Sequence, residues 1–337
     1  MKYYVGLDVS VKETSVCIVN QDGDIIAEKS VLSEPENIAQ YLHSKKLTYE
    51  RVGLEAGCLT PWLYHEMTKL GFPMICIETR HAKAAMSAQN MKTDKNDARG
   101  LAHIMRTGWY KPVHVKSDES QKIRVLLNNR KCLQNKMMDI ESQIRGTLKV
   151  FGHKVGSVTK KNFEHRIREL IEGDAELVLY IQPLLIVRDQ ILTQFKILDK
   201  MIMQIAKTDK VCEQFMSIPR VGVLTALTFK ATIDSPKRFS KSKNVGVHLG
   251  LTPKKYASGE IDYSGRITKC GDSGARHHLY IAAQALINKV KASCPLKEWG
   301  MKIAKRSSPQ KAYVAVARKL AVIMHRMWID GTYYHHA

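Results

Sequence analysis

Acidic residues are scarce in this chain: 32 Asp and Glu face 53 Lys and Arg over 337 residues, a formal net charge of +21 with a pI near 9.6. That deficit points to a polyanionic partner. Organised cysteine is missing too. The seven cysteines, at positions 17, 58, 76, 132, 212, 270 and 294, are odd in number and make no CxxC pair. Neither a disulfide framework nor a zinc site is indicated, and the chain reads as one of a reducing cytosol. No run approaches ~18 uninterrupted apolar residues, so no membrane span is expected. Met1-Lys2 leads straight into a strand-like run, without the apolar core and small-residue cleavage site of a secretory signal. There is no G-x-G-x-x-G or Walker A sequence, and no HExxH among the 13 histidines. The adjacent pairs His277-His278 and His335-His336 read as non-ligands, and no Ser-His-Asp constellation can be read.

The length admits two or three domains and a sizeable core. Charge divides the chain. Residues 1–117 carry 15 Lys and Arg against 13 Asp and Glu, residues 118–210 carry 17 against 12, and residues 211–337 carry 21 against 7. The expected organisation is a metal-holding domain over 1–117, a helical region over 118–210 and a phosphate-gripping domain over 211–337.

In the first third, residues 3–9, 14–20 and 24–31 read as strands, with Asp22-Gly23 as hairpin punctuation between the last two. A helix over 35–46 begins with Pro35, where a missing N–H costs nothing. Then come a strand at 50–55 and a helix at 61–70, with Thr60 as N-cap, Pro61 at N1 and Gly71 at C′. A strand at 73–77, a helix around 79–88 and a helix over 94–107 ended by Gly108 complete the series. This βββ-α-β-α-β-α order is the ribonuclease-H-like arrangement. Asp8 and Glu55 close the first and fourth strands, and Asp94 and Asp97 lie one turn apart in Lys92-Thr93-Asp94-Lys95-Asn96-Asp97-Ala98. Acids so placed can converge on one point. Hard oxygen ligands suit Mg²⁺, with Mn²⁺ as the alternative. Two such ions clamp the attacking and leaving oxygens of a phosphodiester.

Leu and Ile recur at helical spacing over 121–151 and 176–207, which predicts two long amphipathic helices joined through Gly152–Gly173 as an antiparallel coiled hairpin. Such a hairpin is either an ordinary helical subdomain or a dimerisation arm. Phe215–Leu227 contains Ile218-Pro219-Arg220-Val221-Gly222, close to a helix-hairpin-helix turn whose backbone N–H groups meet a DNA phosphate. Arg220 stands where that motif has its first glycine and can itself reach a phosphate. Residues 247–272 form a glycine-punctuated basic loop and hairpin carrying Lys254, Lys255, Arg266 and Lys269, followed by a helix over 273–291 with Arg276. Glycines beside cations let backbone approach phosphates closely.

Taken together, Gly6-Leu7-Asp8-Val9-Ser10, Glu55-Ala56-Gly57, Lys92-Thr93-Asp94-x-x-Asp97-Ala98, Ser217-Ile218-Pro219-x-Val221-Gly222, Leu249-Gly250-Leu251-x-Pro253, Ser258-Gly259 and Ile267-Thr268-Lys269-x-Gly271 resemble one family from about residue 3 to residue 325. It is the DEDD transposases of bacterial insertion sequences related to the Piv/MooV DNA invertases. The resemblance implies a RuvC-like metal domain, a helical coiled-coil insertion and a mostly α C-terminal transposase domain. It matches Asp8, Glu55, Asp94 and Asp97 to the metal acids. It matches Ser258 to the nucleophile, with Ser264 the neighbouring rival because it too precedes a glycine. It further implies a homo-oligomer (dimer or tetramer) acting on donor and target double-stranded DNA in the bacterial cytoplasm at the nucleoid. A structured noncoding RNA that bridges the two DNAs is implied for some members.

A serine hydroxyl is a weak nucleophile at neutral pH, and the metal site is its expected source of activation. Attack by Ser258 gives a phosphoserine that conserves the phosphodiester's energy, in keeping with the lack of a nucleotide-binding loop. Arg266, Lys269 and Arg276 are the candidates to hold the phosphate. Two rivals stand beside this reading. One is a RuvC-like hydrolytic nuclease or junction resolvase using a metal-activated water. The other is a non-enzymatic nucleic-acid-binding protein with a degenerate metal domain, against which all four acids count.

Overall fold

Apolar residues crowd both faces of Tyr3–Val9 (β1), which makes it the central strand of a sheet. It pairs antiparallel with Glu13–Asn20 (β2), which pairs antiparallel with Ile25–Leu32 (β3). Asn20 closes the turn between them: its Oδ1 accepts the N–H groups of Asp22, Gly23 and Asp24 at 2.9, 2.8 and 2.9 Å. The computed structural model describes residues 1–87, 93–292 and 294–335. These fall into two compact units, Met1–Lys116 and Ser117–Ala337.

The first unit continues with Pro35–Ser44 (α1), Tyr49–Glu55 (β4), Thr60–Lys69 (α2), Met74–Ile77 (β5), Thr79–Met86 (α3) and Asp94–Thr107 (α4). β4 runs parallel to β1, and β5 parallel to β4. The sheet order is β3-β2-β1-β4-β5, the ribonuclease-H-like arrangement expected from the sequence. Side chains alternate across the sheet. Val5, Leu7, Val52 and Leu54 pack with Ile38 and Leu42 of α1 and Leu63 and Met67 of α2. Tyr4 and Cys17 pack on the other face, against Ala98, Leu101 and Met105 of α4. A Cβ at Gly6 would lie 2.2 Å from the Ala98 carbonyl oxygen and 2.3 Å from the Ala102 nitrogen, so the helix backbone rests directly on this strand.

Strand and helix limits fall within about two residues of the sequence expectation, and Gly71 and Gly108 take positive φ (+88° and +71°) at their helix ends as expected. The role given to Thr60 is corrected. It lies in the first turn of α2, Leu59 takes the N-cap position, and the Thr60 hydroxyl serves the preceding loop instead. Ala88, where the α3 expectation ended, Lys92 of the acidic motif, and His336 lie outside the described residues.

The second unit opens with Asp118–Val150 (α5), Phe163–Leu170 (α6) and Ala175–Thr208 (α7). Glu141 of α5 meets Arg188 of α7, and Arg130 meets Asp199, so the two long helices run antiparallel. The connection expected as a plain joint contains α6, whose Phe163 and Ile167 share a core with Ile144, Leu148, Leu177 and Ile181. Lys210–Met216 (α8), Val223–Ile233 (α9), Lys243–His248 (α10), a ribbon of Pro253–Ser258 (β6) and Ile261–Ile267 (β7), Ser273–Lys289 (α11), Pro295–Arg306 (α12) and Pro309–Asp330 (α13) follow. A second core gathers Phe215, Phe229, Leu279, Leu320 and Met324, and reaches Ile123 of α5 and Ile202 of α7.

Candidate functional site

The register of the sheet decides where the acids go. Leu7 pairs with Leu54, so Asp8 and Glu55 are the next residues along two adjacent parallel strands. Both fall on the alternation that faces α4, because Gly6 and Gly53 meet Ala98 and Met105 of that helix. Ala98 sits over Gly6, while Arg106 near the other helix end donates to the Gln21 carbonyl at 3.3 Å, by the far end of the sheet. α4 therefore runs against β1, and its N-terminal turn lies at the carboxyl end of the strand. Asp94 and Asp97 occupy that turn, on the helix stripe that continues through Leu101 and Met105 into the core. The four predicted carboxylates thus share one face and one end of the sheet. Asp8, Glu55 and Asp97 are half-buried and Asp94 is exposed. Among the described residues, no group of three or more His, Cys, Asp or Glu side chains is drawn close enough to hold a metal ion as it stands.

Neighbouring residues fix this arrangement. Thr93 caps α4 by accepting the Asn96 N–H at 3.2 Å. Arg99 grips Glu28 of β3 through Nε and, at 2.9 Å, through Nη2, and Lys95 reaches the same carboxylate at 3.1 Å. Those hydrogen bonds from Arg99, with those from Lys95, push the Glu28 carboxyl down to about 2. The helix turn that carries Asp94 and Asp97 is thereby tied to the sheet. The loop after Glu55 is tied by two hydroxyls, that of Thr60, expected as an N-cap, and that of Thr79, which the sequence did not single out. Thr60 Oγ1 donates to the Glu55 carbonyl at 2.6 Å and accepts the Gly57 N–H at 2.7 Å, and Thr79 Oγ1 donates to the Ala56 carbonyl at 3.0 Å. Cys76, beside Glu55 on β5, has its thiol pushed up to about 11 by burial and by the Glu55 charge. The four carboxylates are hard oxygen donors, a set that fits a divalent cation such as Mg²⁺.

Ser258 ends β6, at the tip of the exposed ribbon in the second unit. It pairs with Ile261 across a two-residue turn in which Gly259 supplies φ +55°. Tyr256 pairs with Tyr263 on the same face as Ser258, and their rings stack at 5.0 Å and 21° while remaining 49% and 56% exposed. Ser264 pairs with Lys255, and its side chain points to the opposite face. The two candidate serines therefore serve different faces. Lys255 bonds Asp262 at 3.2 Å, and Lys254 and Arg266 are exposed on the same ribbon.

Two of the other cations expected at phosphates, Arg276 and Arg220, have structural partners. Arg276 donates to the Leu249 and Gly271 carbonyls at 3.1 Å each, and to that of Cys270. Arg220 takes φ +69°, so positive φ is required there, and its Nη2 donates to the Lys289 carbonyl at 2.7 Å. Lys269 takes φ +56° and is exposed. The space expected between glycines and phosphate is filled by protein at two positions. A Cβ at Gly250 would lie 2.4 Å from the Cys270 backbone, and one at Gly271 2.1 Å from the His248 carbonyl oxygen. These glycines let two loops of the chain approach each other.

Two family models match the chain. A transposase model of the IS110 DEDD type covers residues 5–153, and the model described as the transposase IS116/IS110/IS902 family covers residues 212–295. The chain is 27% identical over 332 residues to the transposase for insertion sequence element IS1111A of Coxiella burnetii, covering 95% of this chain and 88% of that protein. It is 22% identical over 300 residues to a probable family 20 transposase of Pseudomonas aeruginosa, covering 84% and 85%. Among solved structures it is similar to RuvC of Thermus thermophilus at 14% identity and a TM-score of 0.26, over 33% of this chain and 99% of that one. With one model on residues 5–153 and another on residues 212–295, the chain matches IS110-type insertion-sequence transposases in both of its units.

Proposed function

We propose that this protein cuts and rejoins DNA through a covalent phosphoserine at Ser258, assisted by Mg²⁺ or Mn²⁺ at Asp8, Glu55, Asp94 and Asp97. The observation that carries this reading is the shared face and end of the four acids, on two strand ends and one helix turn. A divalent cation held there would polarise a phosphoryl oxygen of the scissile phosphate. The protein's own groups do the rest. Ser258 Oγ bonds to phosphorus and loses its proton, the bond from phosphorus to one deoxyribose oxygen breaks, and that oxygen takes up a proton. Rejoining reverses these steps on a new strand and needs no nucleotide. Lys254, Lys255, Arg266 and Lys269 place positive charge around the serine ribbon to hold the phosphate backbone. The turn at Ser217–Gly222 is read as a helix-hairpin-helix contact to DNA. Guidance by a structured noncoding RNA, assembly as a dimer or tetramer through the α5–α7 hairpin as a coiled coil, kinship with the Piv/MooV invertases and work at the nucleoid belong to the same reading. It is supported by the basic excess of residues 211–337 and by exposed Leu179, Ile186 and Ile197 on α7.

A second reading uses the same acids with water as the nucleophile and no covalent step. Trapping on a nicked suicide DNA, followed by peptide mapping, separates the two. Ser258→Ala is expected to abolish both adduct and recombination, whereas Ser264→Ala, on the other face of the ribbon, keeps the adduct. Asp8→Asn, Glu55→Gln, Asp94→Asn and Asp97→Asn are each expected to abolish strand cleavage and to leave DNA affinity largely intact. An adduct mapped to Ser264 reverses the serine assignment. Undiminished cleavage by Ser258→Ala, with no adduct in the wild type, moves the protein to the hydrolytic reading.

A further inference from the structure

Within the second unit, a cleft of about 470 Å³ opens between α5, α9 and the N-terminus of α11. On its floor lie Thr228 and Thr232, one turn apart on α9. They are only 8% and 2% exposed, and neither hydroxyl has a hydrogen-bond partner. A buried hydroxyl without a partner costs free energy, so two on one stripe, both lining one cleft, call for an acceptor. The wall on α5 brings Arg124, Arg130 and Lys131. Arg124 bonds Asp272 at 2.7 Å and Arg130 bonds Asp199 at 2.6 Å, while Lys131 is exposed at the cleft mouth. The third wall is the first turn of α11, with Ser273 and Gly274, where the helix end favours negative charge. Asp272 already takes part of that field by accepting the Ala275 N–H at 2.8 Å. His278 also lines the cleft. Burial, with His277, Arg130 and Lys131 nearby, pushes its imidazole down to about 4, so at neutral pH it adds no charge. Apart from the paired Asp272, the lining is dominated by donors.

The cleft does not end there. Asn128, Lys131 and Asn135 also line an adjoining groove of about 500 Å³ that runs on along α5 to Lys136 and Asp139, which bond each other at 3.5 Å. A lone anion has no use for that continuation, whereas a charged polymer does.

We propose that this cleft holds a backbone phosphate of bound DNA, with the Thr228 and Thr232 hydroxyls donating to its oxygens, Lys131 supplying charge, and the neighbouring backbone following α5. The proposal rests on the reading of the chain as a DNA-processing enzyme, but on no assignment of the nucleophile. It gives the α5–α7 hairpin a part in substrate binding as well as in architecture.

Thr228→Val with Thr232→Val tests it, because valine keeps the shape and removes only the hydroxyls. Removing unpartnered hydroxyls should leave the melting temperature unchanged or raised, which keeps the binding result interpretable. Affinity for duplex DNA carrying the element's end sequence is read by fluorescence anisotropy at fixed salt in the full-length protein, without divalent metal so that no cleavage intervenes. The double variant should bind roughly tenfold more weakly, the scale of one lost hydrogen bond to a charged group. In the wild type, one neutral methylphosphonate linkage in the duplex should cause a comparable loss, and at that linkage the variant should lose nothing further. Equal affinity of wild type and variant overturns the proposal, as does a loss seen only with RNA, or a variant that remains sensitive at every linkage. Each of these leaves the recombinase reading standing, whereas a wild-type protein with no affinity for DNA overturns both.

Discussion

Glu28 shows how one side chain can set the position of two candidate metal acids. Its bonds to Arg99 and Lys95 hold the first turns of α4 against β3, and Asp94 and Asp97 ride on those turns. The Glu28 carboxyl is pushed from its ordinary 4.5 down to about 2. A carboxylate whose folded value lies below its unfolded one binds fewer protons in the native state between the two. Its contribution to stability is therefore complete above about pH 4.5 and is lost as the pH falls toward 2. Urea unfolding of the wild type across that window should show the decline, and Glu28→Gln should flatten it while lowering stability at neutral pH. An unchanged acid limb in Glu28→Gln would remove Glu28 from the link between α4 and the sheet. This residue was not legible in the sequence as part of the site, because its partners lie 67 and 71 positions away. The placement of the candidate acids was legible, since each ends an apolar run or opens a helix. The threonines at 60, 228 and 232 were not, because a hydroxyl's partner, or lack of one, is a property of packing.

At the scale of elements, two contacts do most to place the candidate groups. The first is α4 on β1. Gly6 admits the helix backbone, and a methyl group there would meet the Ala98 carbonyl and the Ala102 nitrogen inside van der Waals distance. Gly6→Ala should cost about 1–3 kcal/mol as α4 is pushed off the sheet, measured by chemical denaturation, and should lower strand cleavage further by moving Asp94 and Asp97 away from Asp8. Wild-type stability in that variant would mean that the helix rests elsewhere. The second is the Tyr256–Tyr263 pair, which pins the register of the β6–β7 ribbon. A one-residue slip would send Ser258 to the other face. Replacing both tyrosines with alanine should reduce adduct yield several-fold more than it reduces DNA affinity, as gel quantification of trapped complexes would read. Equal losses would make the pair a binding surface alone. Most elements could be read from the sequence within about two residues, because strong periodicity and the glycine stops at 71 and 108 mark them. α6 could not. Its Phe163, Ile167 and Leu170 are few, stand among charges, and become helical by packing on Ile144 and Leu177, residues distant in the chain.

At the scale of the whole molecule, charge is the property most visible in the sequence and the one most directly tied to the substrate. The net +21 is distributed so that residues 211–337 hold 21 basic residues against 7 acidic ones. Some of those cations are committed within the protein: Arg276 clamps three carbonyls, and Arg220 holds the end of α11. The exposed set is smaller and includes Lys254, Lys255, Arg266 and Lys269. These two kinds of cation should separate in a salt titration of the full-length protein on duplex DNA. Each phosphate contact neutralised by a mobile cation adds about 0.9 to the slope of log affinity against log salt. Replacing Lys254, Arg266 and Lys269 with glutamine should therefore lower the slope by roughly 2–3, with the fold unchanged. Arg276→Gln should instead lower the melting temperature, because three carbonyls lose their donor, while the salt slope of the protein that remains folded stays near the wild-type value. If Arg276→Gln lowered the slope without destabilising the fold, Arg276 would be a phosphate ligand. If the triple variant kept the wild-type slope, the ribbon would not grip the DNA backbone.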